Sequence, residues 1–84
     1  MSYTIYSKPG CVFCEHAKNY LNSRGLAYTE NIVDVGQHKD ASKTYVSIVE
    51  LRQLIPGVKS VPQIFFEDTH IGGYEDLKKY VESV

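Results

Sequence analysis

Residues 3–14 read Tyr3-Thr4-Ile5-Tyr6-Ser7-Lys8-Pro9-Gly10-Cys11-Val12-Phe13-Cys14. The first five are rich in aromatic and β-branched side chains and predict a strand. Lys8-Pro9-Gly10 breaks it. Beyond the break, Phe13, Ala17, Tyr20 and Leu21 are spaced i, i+4, i+7 and i+8, one face of a helix that runs to Arg24 and stops at Gly25. Both cysteines therefore fall where a strand gives way to a helix. Unpaired N–H groups and the helix dipole favour negative charge there, which lowers a thiol's pKa, and the thiolate is the nucleophile. Two intervening residues on one turn bring the sulfurs close enough to pair. Cys11 is expected exposed at the tip and Cys14 buried one turn in, which suits an attacking and a resolving thiol. Lys8 adds positive potential upstream.

Outward from this stretch, Tyr28 to Val33 favours a second strand, and Asp34 to Lys43 is a polar loop holding Gly36. A second helix, capped by Ser42 or Thr44, runs to Ile55 with Tyr45, Ile48, Val49, Leu51, Leu54 and Ile55 as apolar positions, and Pro56-Gly57 ends it. Val61 to Phe66 is a third strand, Glu67-Asp68 a tight turn, and Thr69-His70-Ile71 a short fourth strand stopped by Gly72-Gly73. Tyr74, Leu77, Val81 and Val84 give a third amphipathic helix. The order β-α-β-α-β-β-α predicts an α/β fold with helices covering a sheet. Its first two strands should be parallel through a right-handed crossover and its last two antiparallel.

Length and composition narrow the function. Eighty-four residues make one domain, 1–84, with a small core and little room for a deep cofactor pocket. Nine Lys+Arg against ten Asp+Glu leave a formal net charge of -1, which speaks against nucleic-acid binding. No apolar run approaches the roughly 20 residues that span a bilayer. The start, Met-Ser-Tyr-Thr-Ile-Tyr, lacks a signal-peptide pattern, so the expected location is the cytoplasm. Two cysteines are too few for a disulfide scaffold, and a loop this short constrains the unfolded chain little. The pair is there for its chemistry. Half of a zinc site is the other reading of this spacing, but a closed site needs four ligands and the only histidines are His16, His38 and His70.

Two further segments carry two readings each. In Ser60-Val61-Pro62-Gln63 the proline either simply starts a strand or forms a cis bond that leaves the Val61 backbone free to pair with an extended peptide ligand. In Gly72-Gly73-Tyr74-Glu75-Asp76 the acidic residues either cap a helix, or the glycines let a ligand carboxylate approach its start.

Together these three segments, in this order, resemble the glutaredoxin family of the thioredoxin-like superfamily. The resemblance rests on Tyr6 to Cys14, Ser60 to Phe65 and His70 to Leu77 and covers nearly the whole chain. It implies a thioredoxin-like fold, with a four-stranded mixed sheet and three helices. The implied enzyme is a glutathione-dependent disulfide oxidoreductase of cell redox homeostasis and electron transport. Cys11 would be the nucleophile and Cys14 the resolving thiol. Lys8, Phe13, Val61, Pro62, Tyr74 and Glu75 would contact glutathione, with Arg52 a candidate for its glycine end. Glutathione would be a co-substrate, with no bound cofactor or metal. Protein disulfides, ribonucleotide reductase among the family's targets, would be partners of a monomer that binds neither nucleic acid nor membrane. The family's usual Cys-Pro-Tyr-Cys is here Cys-Val-Phe-Cys, and its threonine before Val-Pro is Ser60. Three rivals remain at this point: a carrier of a [2Fe–2S] cluster held by Cys11 and glutathione from two chains, a thioredoxin-type reductant, and a non-catalytic interaction domain.

Overall fold

The computed structural model describes residues 2–33 and 42–83. His38 and most of the loop predicted from Asp34 lie outside them, as does Val84. The elements in chain order are β1 (Tyr3–Ser7), α1 (Val12–Ser23), β2 (Tyr28–Val33), β3 (Thr44–Val46), α2 (Ile48–Leu54), β4 (Gln63–Phe66), β5 (Thr69–Gly72) and α3 (Tyr74–Glu82). The strands form one mixed sheet in the order β3-β2-β1-β4-β5. β1 pairs parallel with β2 and antiparallel with β4, and β4 pairs antiparallel with β5. The expected α/β class, the three helices and the direction of each expected strand pair are present.

The sheet has five described strands where the sequence predicted four. The extra one, β3, takes up residues assigned to the start of the second helix. Thr44-Tyr45-Val46 is a β-branched and aromatic triplet, and it pairs parallel with Asn31 to Val33 at the sheet edge. The helix begins only after it. Ser47, rather than Ser42 or Thr44, is the N-cap, its hydroxyl accepting the Glu50 N–H at 3.1 Å. β4 starts at Gln63, two residues later than expected, and Pro62 before it has no N–H to give the ladder.

Gly25 ends α1 as predicted. It sits at φ +68°, and the bonds Leu26 N–H to Leu21 O and Gly25 N–H to Asn22 O close a Schellman motif. Tyr3, Ile5, Ala17, Leu21, Ile64 and Leu77 form the core between the sheet and the α1/α3 layer. Tyr3, Ile5 and Ser7 alternate onto that face of β1. Ser7 is the last of them, so a hydroxyl lies beneath the loop that carries Cys11. Leu51 of α2 is buried and lines a cleft with Val33 of β2.

Candidate active site

The loop after β1 delivers Cys11 to the residue just before α1, where it is the N-cap. Its sulfur accepts the Cys14 backbone N–H at 3.2 Å, and its carbonyl accepts the Glu15 N–H at 3.2 Å. A sulfur in this place receives one of the donors that a helix start leaves unpaired. The two cysteines form a disulfide, with their Cα atoms 5.2 Å apart. Cys14 is only 1% exposed, whereas Cys11 is half-buried. The predicted asymmetry is present, although Cys11 is less open than a tip position suggested. The Val61 carbonyl oxygen, 3.8 Å from the Cys11 sulfur, accounts for part of this cover.

The Val61–Pro62 peptide bond is cis, and Pro62 is buried. Gly73, at the start of α3, comes close to it: a Cβ added there would lie 3.7 Å from the Pro62 carbonyl oxygen. The two glycine-bearing and proline-bearing segments flagged in the sequence therefore meet beside Cys11. Asp76 reaches back to the Gly73 N–H at 3.4 Å, so the capping reading of that segment holds as well. Gly72 has φ +125°, and a side chain there would collide with Asp76.

The residues assigned to glutathione divide into two groups on either side of this junction. Lys8 and Val61 line a cleft of about 570 Å³ with Arg52, Lys59 and an apolar floor that includes Ile48 and Leu51. Lys59 was not singled out from the sequence, where it reads as an ordinary charged loop residue. On the other side, Phe13 is 59% exposed, and its ring lies 6.5 Å from that of Tyr74. His16 joins them, 5.9 Å from Phe13 and 5.6 Å from Tyr74, and the Lys78 ammonium sits 4.7 Å above the Tyr74 ring. Glu75 is exposed and its carboxylate pairs with Lys78 at 3.1 Å.

A polar network under the active-site loop was not legible in the sequence. Ser7, the one polar residue buried among those described, donates its hydroxyl to Glu30 at 2.6 Å. Lys18 donates to the same Glu30 oxygen at 2.9 Å and pairs with Glu15 at 2.5 Å. Burial opposes ionisation of Glu30, but the hydrogen bonds from Ser7 and Lys18 and the charges of Lys18 and Lys43 outweigh it. The carboxyl is held below its ordinary range. Burial likewise disfavours the Lys18 cation, and the bonds to Glu15 and Glu30 more than offset this and raise its pKa. Among the described residues no group of three or more His, Cys, Asp or Glu side chains is placed to hold a metal ion, and no helix is long and apolar enough to cross a membrane.

This arrangement has counterparts. Residues 3–71 match the glutaredoxin family model. A glutaredoxin from Neisseria meningitidis is 39% identical over 74 residues, covering 88% of this chain and 78% of that one. A hybrid peroxiredoxin, hyPrx5, from Haemophilus influenzae is 42% identical over 79 residues, covering 94% of this chain but only 29% of that longer protein. Among solved structures, glutaredoxin 1 from Francisella tularensis complexed with cacodylate superposes with a TM-score of 0.72 at 28% identity, over 98% of this chain and 93% of that one. The matched span runs from β1 through the cysteine pair and the Val61–Pro62 turn into β5, and on it the chain belongs to the glutaredoxin family.

Proposed function

We infer that this chain is a glutathione-dependent thiol–disulfide oxidoreductase working through Cys11 and Cys14. One observation carries the reading. The Cys11 sulfur lies at a helix start, takes a backbone N–H, and has both a buried second cysteine and a main-chain carbonyl within reach. In the reduced protein the same N–H and the helix dipole stabilise a Cys11 thiolate. That thiolate attacks one sulfur of a substrate disulfide, a new S–S bond forms to Cys11, and the other substrate sulfur leaves as a thiolate that takes up a proton. Cys14 then attacks Cys11, releases the second substrate sulfur, and closes the disulfide seen here. Two glutathione molecules restore the dithiol, and together they are oxidised to one glutathione disulfide.

Glutathione lies across the junction in this reading. The Val61 backbone beside Pro62 pairs with its cysteinyl part, since the Val61 carbonyl is already next to the Cys11 sulfur. Lys8, Arg52 and Lys59 on one cleft supply cations for the glycine carboxylate. Phe13 and Tyr74 flank the other side, and the start of α3 at Tyr74 and Glu75 receives the γ-glutamyl carboxylate. The Glu75 side chain is engaged by Lys78, so its contribution is through the backbone. Proteins with accessible disulfides are the macromolecular substrates of a single-domain, monomeric reductant of the cytoplasm, a compartment where glutathione keeps thiols reduced. A peroxiredoxin is a specific candidate among them, because the related segment of hyPrx5 occupies only 29% of a longer hybrid peroxiredoxin.

The test is a coupled assay in which the protein reduces a small glutathione mixed disulfide at the expense of glutathione. Turnover that saturates with glutathione is expected. Reduction by a thioredoxin reductase system, with no turnover on glutathione, would overturn the reading.

A further inference from the structure

A second cleft, of about 440 Å³, opens behind the active-site loop and has Cys11 on its wall together with Ser7, Glu15, Lys18, Glu30 and Lys43. The network described above therefore shares a cleft with the reactive cysteine. The members come from three elements. Ser7 ends β1, Glu30 is on β2 level with Ile5, and Glu15 and Lys18 are on α1. Lys18 is one turn beyond Cys14 on the same helix face. Lys43 precedes β3, Tyr45 lies on β3, and Lys8 is in the loop, and all three line the same cleft.

The oxidised pair is neutral, whereas the reduced pair carries a thiolate on Cys11. Fixed charges lining a cleft shared with Cys11 thus act on the reduced form alone. We propose that the Ser7–Glu30–Lys18 network sets the redox potential of the Cys11–Cys14 pair, with Glu30 favouring the disulfide and Lys18 the dithiol. The inference rests on the reading of Cys11 as the thiolate-forming cysteine. Ser7 and Lys18 also keep Glu30 ionised through the neutral range, so its charge is present where the enzyme works. In this proposal Glu30 and Lys18 need no contact with the substrate. They are positioning residues acting through the charge they hold on the cleft that Cys11 also lines.

The reaction that reads the effect is reduction of the Cys11–Cys14 disulfide to two thiols by dithiothreitol, which is itself oxidised to its cyclic disulfide. Wild type, Glu30→Gln and Lys18→Gln are equilibrated in dithiothreitol redox buffers at neutral pH and trapped by alkylation. Glu30→Gln should shift the equilibrium constant toward the dithiol by about three- to tenfold, or ~15–30 mV, the effect of one charge across a partly solvated cleft. Lys18→Gln should shift it by a similar factor toward the disulfide. Both shifts should shrink as the pH falls below the Cys11 thiol pKa, where the reduced form is uncharged. Glu82→Gln removes the same charge where Glu82 meets Arg24 at the far end of α1, and should shift nothing.

Unchanged constants in both variants, or shifts of the same sign, overturn the proposal, because loosened packing has no reason to reverse with charge. If Glu30→Gln fails to fold, Lys18→Gln decides alone: a shift toward the disulfide supports the network and no shift refutes it. The potential is measured without glutathione. Failure of the glutathione-coupled assay in wild type would therefore overturn the functional reading while leaving this one to stand or fall by itself.

Discussion

Replacing Cys14 by serine separates the two routes that this site supports. Cys14 is 1% exposed and its Cα lies 5.2 Å from that of Cys11, so an incoming disulfide meets Cys11 first. Once a protein substrate is bonded to Cys11, Cys14 is the nearest thiol and needs no diffusion. Even an effective concentration of ~1 M would outcompete free glutathione at about 1 mM by ~10³, and well-oriented groups reach ~10⁵ M. Reduction of a protein disulfide should therefore fall by about 100-fold or more in Cys14→Ser. A glutathione mixed disulfide needs only Cys11 to accept the glutathionyl group and a second glutathione to remove it, so that turnover should stay within about threefold of wild type. Both rates are followed by NADPH consumption with glutathione reductase as the coupling enzyme. Equal loss on the two substrates would refute the reasoning, since it would make Cys14 obligatory and the monothiol route absent.

In Cys11→Ser both activities should vanish, because a serine hydroxyl is not ionised at neutral pH; serine is also a good N-cap, so the melting temperature should stay close to that of reduced wild type, and a large drop would show that the loss is one of folding. Ser7→Ala removes a hydrogen bond to a half-buried carboxylate and should cost about 1–2 kcal/mol at neutral pH, or a Tm lowered by roughly 5–15 °C. The Glu30 pKa is depressed in the folded state, so this contribution is present above the unfolded carboxyl pKa and lost as the pH falls through the folded value. The gap between variant and wild type should narrow in that acid window, and a gap of constant size throughout acid unfolding would rule out Glu30 as the partner. Leu77→Ala empties a fully buried position under α3 and should cost about 2–5 kcal/mol in denaturant unfolding; a loss below about 1 kcal/mol would mean that α3 is not anchored through this residue.

Much of the active end was legible because its determinants are local. The β1 strand, the Lys8-Pro9-Gly10 break, Cys11 and Cys14 on one turn, and the Gly25 stop depend on residues within a few positions of one another, the range over which propensity, capping and helical periodicity act. The same holds for the β4–β5 hairpin around Glu67-Asp68 and for α3. The residues proposed for glutathione came from another source, the resemblance of whole motifs.

What the sequence left open depends on pairing at a distance. Thr44-Tyr45-Val46 has apolar spacing that fits the start of a helix, and only its ladder with Asn31 to Val33 makes it a strand. Ser60-Val61-Pro62 read equally well as a strand start or a cis turn, because the isomer of an X–Pro bond is set by what surrounds it. Lys59 gained significance only when the chain folded Arg52 and Lys8 onto the same cleft. Ser7, Lys18 and Glu30 are separated by 12 and 23 positions in the chain and show no shared pattern in it. The parallel register of β1 and β2 aligns Ile5 with Glu30 and Ser7 with Ile32, and α1 packs across them. The buried Ser7 hydroxyl then takes the half-buried Glu30 carboxylate as its partner. Local rules fix where a charge occurs along the chain, and tertiary packing alone decides which charge it faces.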